Sequence, residues 1–129
     1  MLVEASALVA ILLREPEADG LVERLDRSER RASHPISLYE AASAVARRKD
    51  CTVAEAYTEV SSFVAGAGLS IIAIRTPEAI AALEAFARYG KGRHPAKLNM
   101  GDCFSYAVAK LHGMPLLYKG DDFSQTDLA

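Results

Sequence analysis

Short apolar runs alternate with capped helical stretches along this chain, and that alternation limits the folds open to it. Leu2-Val3, Ser70-Ile71-Ile72-Ala73-Ile74 and Leu116-Leu117-Tyr118 are short apolar runs, with glycine, proline or charged residues close by. The three isoleucines among residues 70–74 make that run the clearest strand. Apolar strands that alternate with helices read as a parallel sheet covered on both faces, hence an α/β fold.

The helix starts carry recognisable chemistry. Ser6 is placed to cap a helix opening at Ala7, and Pro16 suits the first turn of a second helix through Leu21, Val22 and Leu25. His34-Pro35-Ile36 reads as extended, because the residue before a proline avoids the helical region. Ser37 then caps a helix with Glu40 at the capping-box position, and Arg47-Arg48-Lys49 complement the dipole at its far end. Thr52 caps a helix running towards Val64, which Gly66 and Gly68 stop. Thr76-Pro77-Glu78 opens a helix to about Tyr89, residues 90–99 form a loop, and residues 102–112 form the last helix.

In an open parallel sheet, strand ends and helix starts meet along one edge. Four segments of this chain deliver a carboxylate to such a position. Glu4 follows the first apolar run, Glu40 lies early in a helix, Asp102 opens an apolar helix, and Asp121-Asp122 follow the last apolar run. Each acid has a local explanation: a solvated strand end, a capping box, a helix dipole, a turn. Together they form a constellation whose mutual repulsion is ordinarily relieved by a divalent cation.

Size and charge bound the reading further. At 129 residues the chain, 1–129, is expected to be a single domain, and 50% hydrophobic residues supply an ordinary core. A net charge of −2 gives no global nucleic-acid signature. No apolar run is long enough to cross a membrane, and the first residues lack a basic leader, so no membrane association is expected. Cys51 and Cys103 have no metal-ligand spacing and read as reduced thiols of a cytoplasmic protein. His34, His94 and His112 also lack ligand spacing and read as surface or satisfied side chains.

Val3-Glu4-Ala5-Ser6-Ala7-Leu8, Ser37-Leu38-Tyr39-Glu40, Asn99-Met100-Gly101-Asp102 with Tyr106-Ala107-Val108-Ala109, and Lys119-Gly120-Asp121-Asp122-Phe123 occur in that order. Taken together, they resemble a PIN-domain ribonuclease, and most closely the VapC toxins of type II toxin–antitoxin systems. The resemblance spans nearly the whole chain. It implies a three-layer α/β/α sandwich around a small parallel sheet, and metal-dependent cleavage of transfer or ribosomal RNA with Mg²⁺ or Mn²⁺. It also implies a VapB-type antitoxin that blocks the toxin, contact with operator DNA only through that antitoxin, and pairing into a homodimer.

By the same resemblance, Glu4, Glu40, Asp102 and Asp121 hold the four catalytic acid positions, with Asp122 the alternative to Asp121. Metal ligation falls to Glu4, Asp102 and either Asp121 or Asp122, with support from Ser6 and Asn99. The family's first acid is normally aspartate, so Glu4 is a departure that lengthens the arm by about 1.5 Å.

An RNA track is expected on the loop at residues 88–97, which holds four cations and no acid, with Lys91, Arg93 and Lys97 as contacts. Arg47 lies seven residues beyond Glu40 on nearly the same helix face and extends the track. Tyr89 reads as packing rather than as a base-stacking platform. Leu12, Leu13, Leu21, Val22 and Leu25 suggest surplus apolar surface on the first two helices, for the antitoxin or a second copy.

Two other readings compete. One is a PIN-like binding module whose catalysis Glu4 has weakened, acting within an antitoxin-dependent DNA-binding repressor. The other is a phosphoacceptor receiver, which the Ile71–Ile74 run argues against because it ends in Arg75-Thr76 with no acid.

Overall fold

A computed structural model describes residues 1–128. The chain runs β1 (Leu2–Val3), α1 (Ala5–Leu12), α2 (Ala18–Asp26), β2 (Ala32–Ser33), α3 (Pro35–Lys49), α4 (Val53–Gly66), β3 (Ser70–Ile71), α5 (Thr76–Tyr89), α6 (Met100–Leu111) and β4 (Leu116–Leu117). All strand pairs are parallel, in the order β3-β2-β1-β4. Adjacent strand residues point to opposite faces. Leu2 and Leu116 pack with α5 and α6, whereas Val3 and Leu117 pack with α1–α4. The result is the expected three-layer α/β/α sandwich. Among the described residues no helix is long and apolar enough to cross a membrane.

The strand order creates the functional edge. β2 and β3 extend the sheet on one side of β1, whereas β4 returns to its other side. Register pairs Leu2 with Leu116 and Val3 with Leu117. The crevice between the ends of β1 and β4 is therefore the topological switch point, where open α/β sheets bind ligands.

Several local expectations need correction. The cap of α1 is Glu4, whose side chain accepts from the Ser6 amide, so Ser6 lies inside the helix. Pro16 precedes α2, whose cap position is Glu17. The helix bearing Glu40 starts earlier than expected: His34 caps it, Pro35 fills its first turn, and Ser37 is interior. Glu40 thus belongs to no capping box, and the local explanation for that acid lapses. α5 has Arg75 rather than Thr76 at its cap. The isoleucine run contributes only Ser70 and Ile71 to the sheet, both exposed on its edge. Ile72 and Ile74 instead pack against the core beneath α5. A run can be apolar for packing beyond the ladder, so hydropathy overstates strand length. The Thr52–Glu55 capping box of α4 is present.

The first two helices carry no surplus apolar face. Leu21 and Leu25 are buried, and Leu12, Leu13 and Val22 are half-buried. Exposed large apolar residues lie elsewhere: Tyr39, Val53 and Tyr57 on α3 and α4, and Ile80, Leu83, Phe86 and Met100 on α5 and the start of α6. Tyr89 is buried, edge-on to His94 and Tyr106.

Candidate active site

Glu4 emerges directly from β1, and the ladder continues through its amide, which donates to the Leu117 carbonyl (3.0 Å). The residue is only 4% exposed. Oε2 accepts from the Ser6 amide (2.7 Å) and from the Ser6 hydroxyl. The same hydroxyl accepts from the Lys119 amide (2.9 Å) just beyond β4. Ser6 therefore ties the first acid to the last segment of the sheet.

Asp102, 5% exposed, is set by its own helix start. The Asn99 side chain accepts from the Asp102 amide (2.9 Å), and Asp102 Oδ2 accepts from the Asn99 amide (3.1 Å). This capping box satisfies two helix donors and aims the carboxylate. Glu40 reaches the site from α3. A Cβ on Gly101 would overlap all three carboxyl atoms of Glu40, so only glycine lets α6 approach that closely. Glu40 Oε1 is buried and accepts no hydrogen bond among the described residues. Asp121 and Asp122 are exposed and follow Gly120, whose φ of +94° lets the chain turn after β4. The Asp121 carbonyl accepts from the Ser124 amide and hydroxyl.

The electrostatics show which acids share a field. Burial pushes Glu4 up from the usual carboxylate range; the two bonds from Ser6 oppose this, and the charges of Glu40 and Asp122 add to it. Burial also raises Glu40, with Asp102 adding to the rise. Asp102 is pushed up to about 7, mainly by burial; the Asn99 amide opposes the shift, and Glu4 and Asp122 increase it. Of the two neighbouring aspartates, Asp122 is the one whose charge acts on the buried acids. Among the described residues no lysine or arginine pairs with Glu4, Glu40 or Asp102. Lys119, whose amide bonds Ser6, has its ammonium bound to Glu15 and Glu17.

These donors fit a hard divalent cation. They are carboxylate oxygens that raise one another's proton affinity, and one buried oxygen lacks any partner. Among the described residues, no three His, Cys, Asp or Glu side chains are arranged to hold a metal by themselves. A divalent cation held there would therefore need waters to complete its coordination.

The proposed RNA contacts Arg47, Lys91, Arg93 and Lys97 are exposed. Among the described residues none of them forms an ion pair, and the Arg93 guanidinium lies 5.2 Å from the centre of the Phe86 ring. The loop joins α5 to the Asn99 cap and is pinned by a bridge between Gly90 and Leu98.

A PIN-domain model matches residues 1–128. VapC ribonuclease R02377 of Rhizobium meliloti is 42% identical over 139 residues, covering 98% of this chain and 97% of that protein. The chain belongs to the PIN-domain family of VapC ribonucleases. Ribonuclease VapC30 of Mycobacterium tuberculosis is 39% identical, covering 100% of this chain and 96% of its own length. The fold matches the crystal structure of Mycobacterium tuberculosis VapC20, described as a sarcin-ricin-loop-cleaving toxin. The TM-score is 0.74 at 18% identity, over 95% of this chain and 92% of that one. A toxin–antitoxin complex from Klebsiella pneumoniae matches with a TM-score of 0.71 at 20% identity, over 98% and 92%.

Sequence reading missed two features of this PIN-domain site. Gly101 is needed for the approach of Glu40, and its one signal was an isolated glycine inside a helix start. The other is a buried polar cluster behind the acids. His34 Nε2 lies 2.8 Å from Ser105 Oγ and 3.0 Å from Ser37 Oγ, and Nδ1 accepts from the Ser37 amide (3.4 Å). Nε2 therefore carries the proton. His34 follows β2 as Glu4 follows β1, but no residue spacing announced its partners.

Proposed function

We propose that this VapC-family protein hydrolyses RNA phosphodiester bonds with Mg²⁺ or Mn²⁺ at the crevice between β1 and β4. The observation that carries this reading is Asp102. It is buried, its carboxyl is raised to about 7, and it faces further acids rather than a cation. Glu4 and Asp102 are the direct ligands. Glu40, through its unpartnered oxygen, orients the attacking water, and Asp122 rather than Asp121 closes the crevice as the fourth acid. Bound there, the cation lowers the pKa of a coordinated water and offsets the charge that develops on the phosphate.

The chain's own residues do the positioning. Ser6 orients Glu4, Asn99 fixes Asp102, and Gly101 admits Glu40. Arg47, Lys91, Arg93 and Lys97 hold phosphates of the incoming strand and offset the repulsion between RNA and the acids. The substrate is transfer or ribosomal RNA, in keeping with the sarcin-ricin activity described for the structural neighbour. A VapB-type antitoxin is the partner, in keeping with the neighbouring toxin–antitoxin complex. The protein acts in the cytoplasm as a homodimer and meets operator DNA only through that antitoxin.

The test is cleavage of a panel of transfer RNAs and ribosomal RNA fragments by the purified protein with Mg²⁺, Mn²⁺ or chelator. Cleavage that needs metal and is absent in Asp102→Asn supports the reading. Equal cleavage in chelator would remove it.

A further inference from the structure

The lysine beside the acids is tied away from them. Lys119 leaves β4 with its amide on Ser6 Oγ, one hydroxyl from Glu4. Its side chain points to the corner between α1 and α2, where the ammonium meets Glu15 Oε2 and stands 3.5 Å from Glu17 Oε2. Glu15 is well prepared for this. Arg14 has a left-handed φ of 54°, and the Glu15 amide donates to the Ala10 carbonyl (2.9 Å), so the corner is locked. The Glu15 side chain is 15% exposed, and its other oxygen faces Arg48 at 4.0 Å. On the other side of the Ser6 link lie acids that raise one another's proton affinity and pair with no lysine or arginine among the described residues.

We propose that Glu15 is a positioning residue for the acid crevice, holding the Lys119 ammonium away so that the crevice stays open to a divalent cation. A lysine ammonium is a compact point charge on a flexible four-carbon stem. Its backbone is bound to Ser6, whose hydroxyl also bonds Glu4, so a stem released from Glu15 would be free to turn towards the crevice as an internal counter-ion. It would then compete with the metal for the same carboxylates. Glu15 and Glu17 supply the competing attraction, and Arg48 stands 4.0 Å from the other oxygen of Glu15. This inference rests on the acid crevice binding a divalent cation.

The experiment measures Mn²⁺ binding to the full chain by titration calorimetry in the parent, Glu15→Gln, Lys119→Met and the double variant. Glu15→Gln is expected to bind Mn²⁺ about tenfold more weakly, as one unit charge moves towards the site. Lys119→Met alone should stay within about twofold of the parent, and the double variant should return to about that level. Unchanged affinity in Glu15→Gln, or a loss that Lys119→Met does not reverse, would overturn the inference. The second outcome would leave Glu15 a merely structural residue. If Glu15→Gln does not fold, Lys119→Met decides. A rise of about tenfold in its affinity would mean the ammonium already acts on the crevice and the clamp does not exist. Affinity near the parent's supports the clamp. A parent that binds no Mn²⁺ removes the metal reading and the clamp with it, whereas binding in the parent with Glu15→Gln unaffected removes the clamp alone.

Discussion

Two buried polar clusters share helices α3 and α6 and answer burial in opposite ways. His34, Ser37 and Ser105 bond to one another, with each ring nitrogen of the histidine engaged. One turn along the same helices, Glu40 and Asp102 meet Glu4 and Asp122 with no cation among the described residues, and Glu40 Oε1 lacks any partner. In the first cluster the charge is suppressed: burial lowers His34 to about 4, so it is neutral at pH 7. In the second, the acids remain near their ionisation range and repel. Burial of polar groups alone therefore does not mark a site, nor does one unpartnered oxygen, since Glu59 and Glu78 each have one but face cations; an unpartnered oxygen among repelling acids does.

The comparison can be broken most strongly at Asp102. Asp102→Asn should reduce RNA cleavage by more than the ~10–100-fold that losing an outer-shell partner costs. It should also hold or raise the melting temperature of the metal-free protein, because one repelling charge is gone. Parental cleavage rates in a folded Asp102→Asn would take Asp102 out of the mechanism. Next comes the basic loop. Replacing Lys91, Arg93 and Lys97 with alanine should weaken RNA binding by about tenfold or more and flatten the log–log salt slope by about 2. Mn²⁺ affinity should stay the same. An unaltered slope in filter-binding assays would move the RNA track elsewhere.

Glu4→Asp tests how well the acid crevice tolerates the longer glutamate arm. Misplacing a catalytic group by about 1 Å can cost ~100-fold, so shortening the arm should raise metal-dependent activity about tenfold, or about 1.4 kcal/mol. Mn²⁺ should support cleavage by the Glu4 parent better than Mg²⁺ does. Equal rates in both proteins with both ions would show that the backbone already accommodates glutamate. It would also leave the weakened binding module without its motive.

The smallest effect separates the two clusters by pH. The raised carboxyl of Asp102 means that the metal-free native state binds the extra proton between about pH 4 and 7. Its contribution to stability therefore falls as pH rises through that window. The depressed His34 means that the unfolded state binds the extra proton between about pH 4 and 6.5, so its contribution rises with pH. The two oppose each other in the parent. Asp102→Asn should tilt the balance towards the His34 trend, a stability that rises with pH from about 4 to 6.5, against the opposition that the raised Glu4 and Glu40 still supply. Ser105→Ala should cost about 1 kcal/mol and leave Mn²⁺ affinity alone. Denaturant melts across this range check both, and a parent that gains stability steeply with pH would contradict the opposition.

What could be read in advance was local. The Thr52–Glu55 box, the basic end of α3 and the alternation of strand with helix all depend on residues a few positions apart. The acids were legible for a related reason, since a strand end or helix start is visible in the chain. Finer assignments failed where two local signals competed. Ser37 with Glu40 matches a capping box, yet His34 and Pro35 start the helix one turn earlier, and tertiary packing seats His34 against Ser105. Ser6 looked like a cap, yet Glu4 takes that role. The isoleucine run looked like the clearest strand, yet only Ser70 and Ile71 join the sheet, on its edge.

By itself, then, the sequence determined an α/β chain with acids at or near element ends, Glu40 lying further into α3 than its spacing suggested, because backbone capping and hydropathy period act over one or two turns. Only the tertiary structure decided that β4 lies beside β1, that Asp122 rather than Asp121 shares the field of Glu4 and Asp102, and that Lys119 turns to Glu15. Leu2 and Leu116 meet because burying both faces of the sheet selects one strand order. That choice is made by contacts across the whole chain, and no short stretch of sequence carries it.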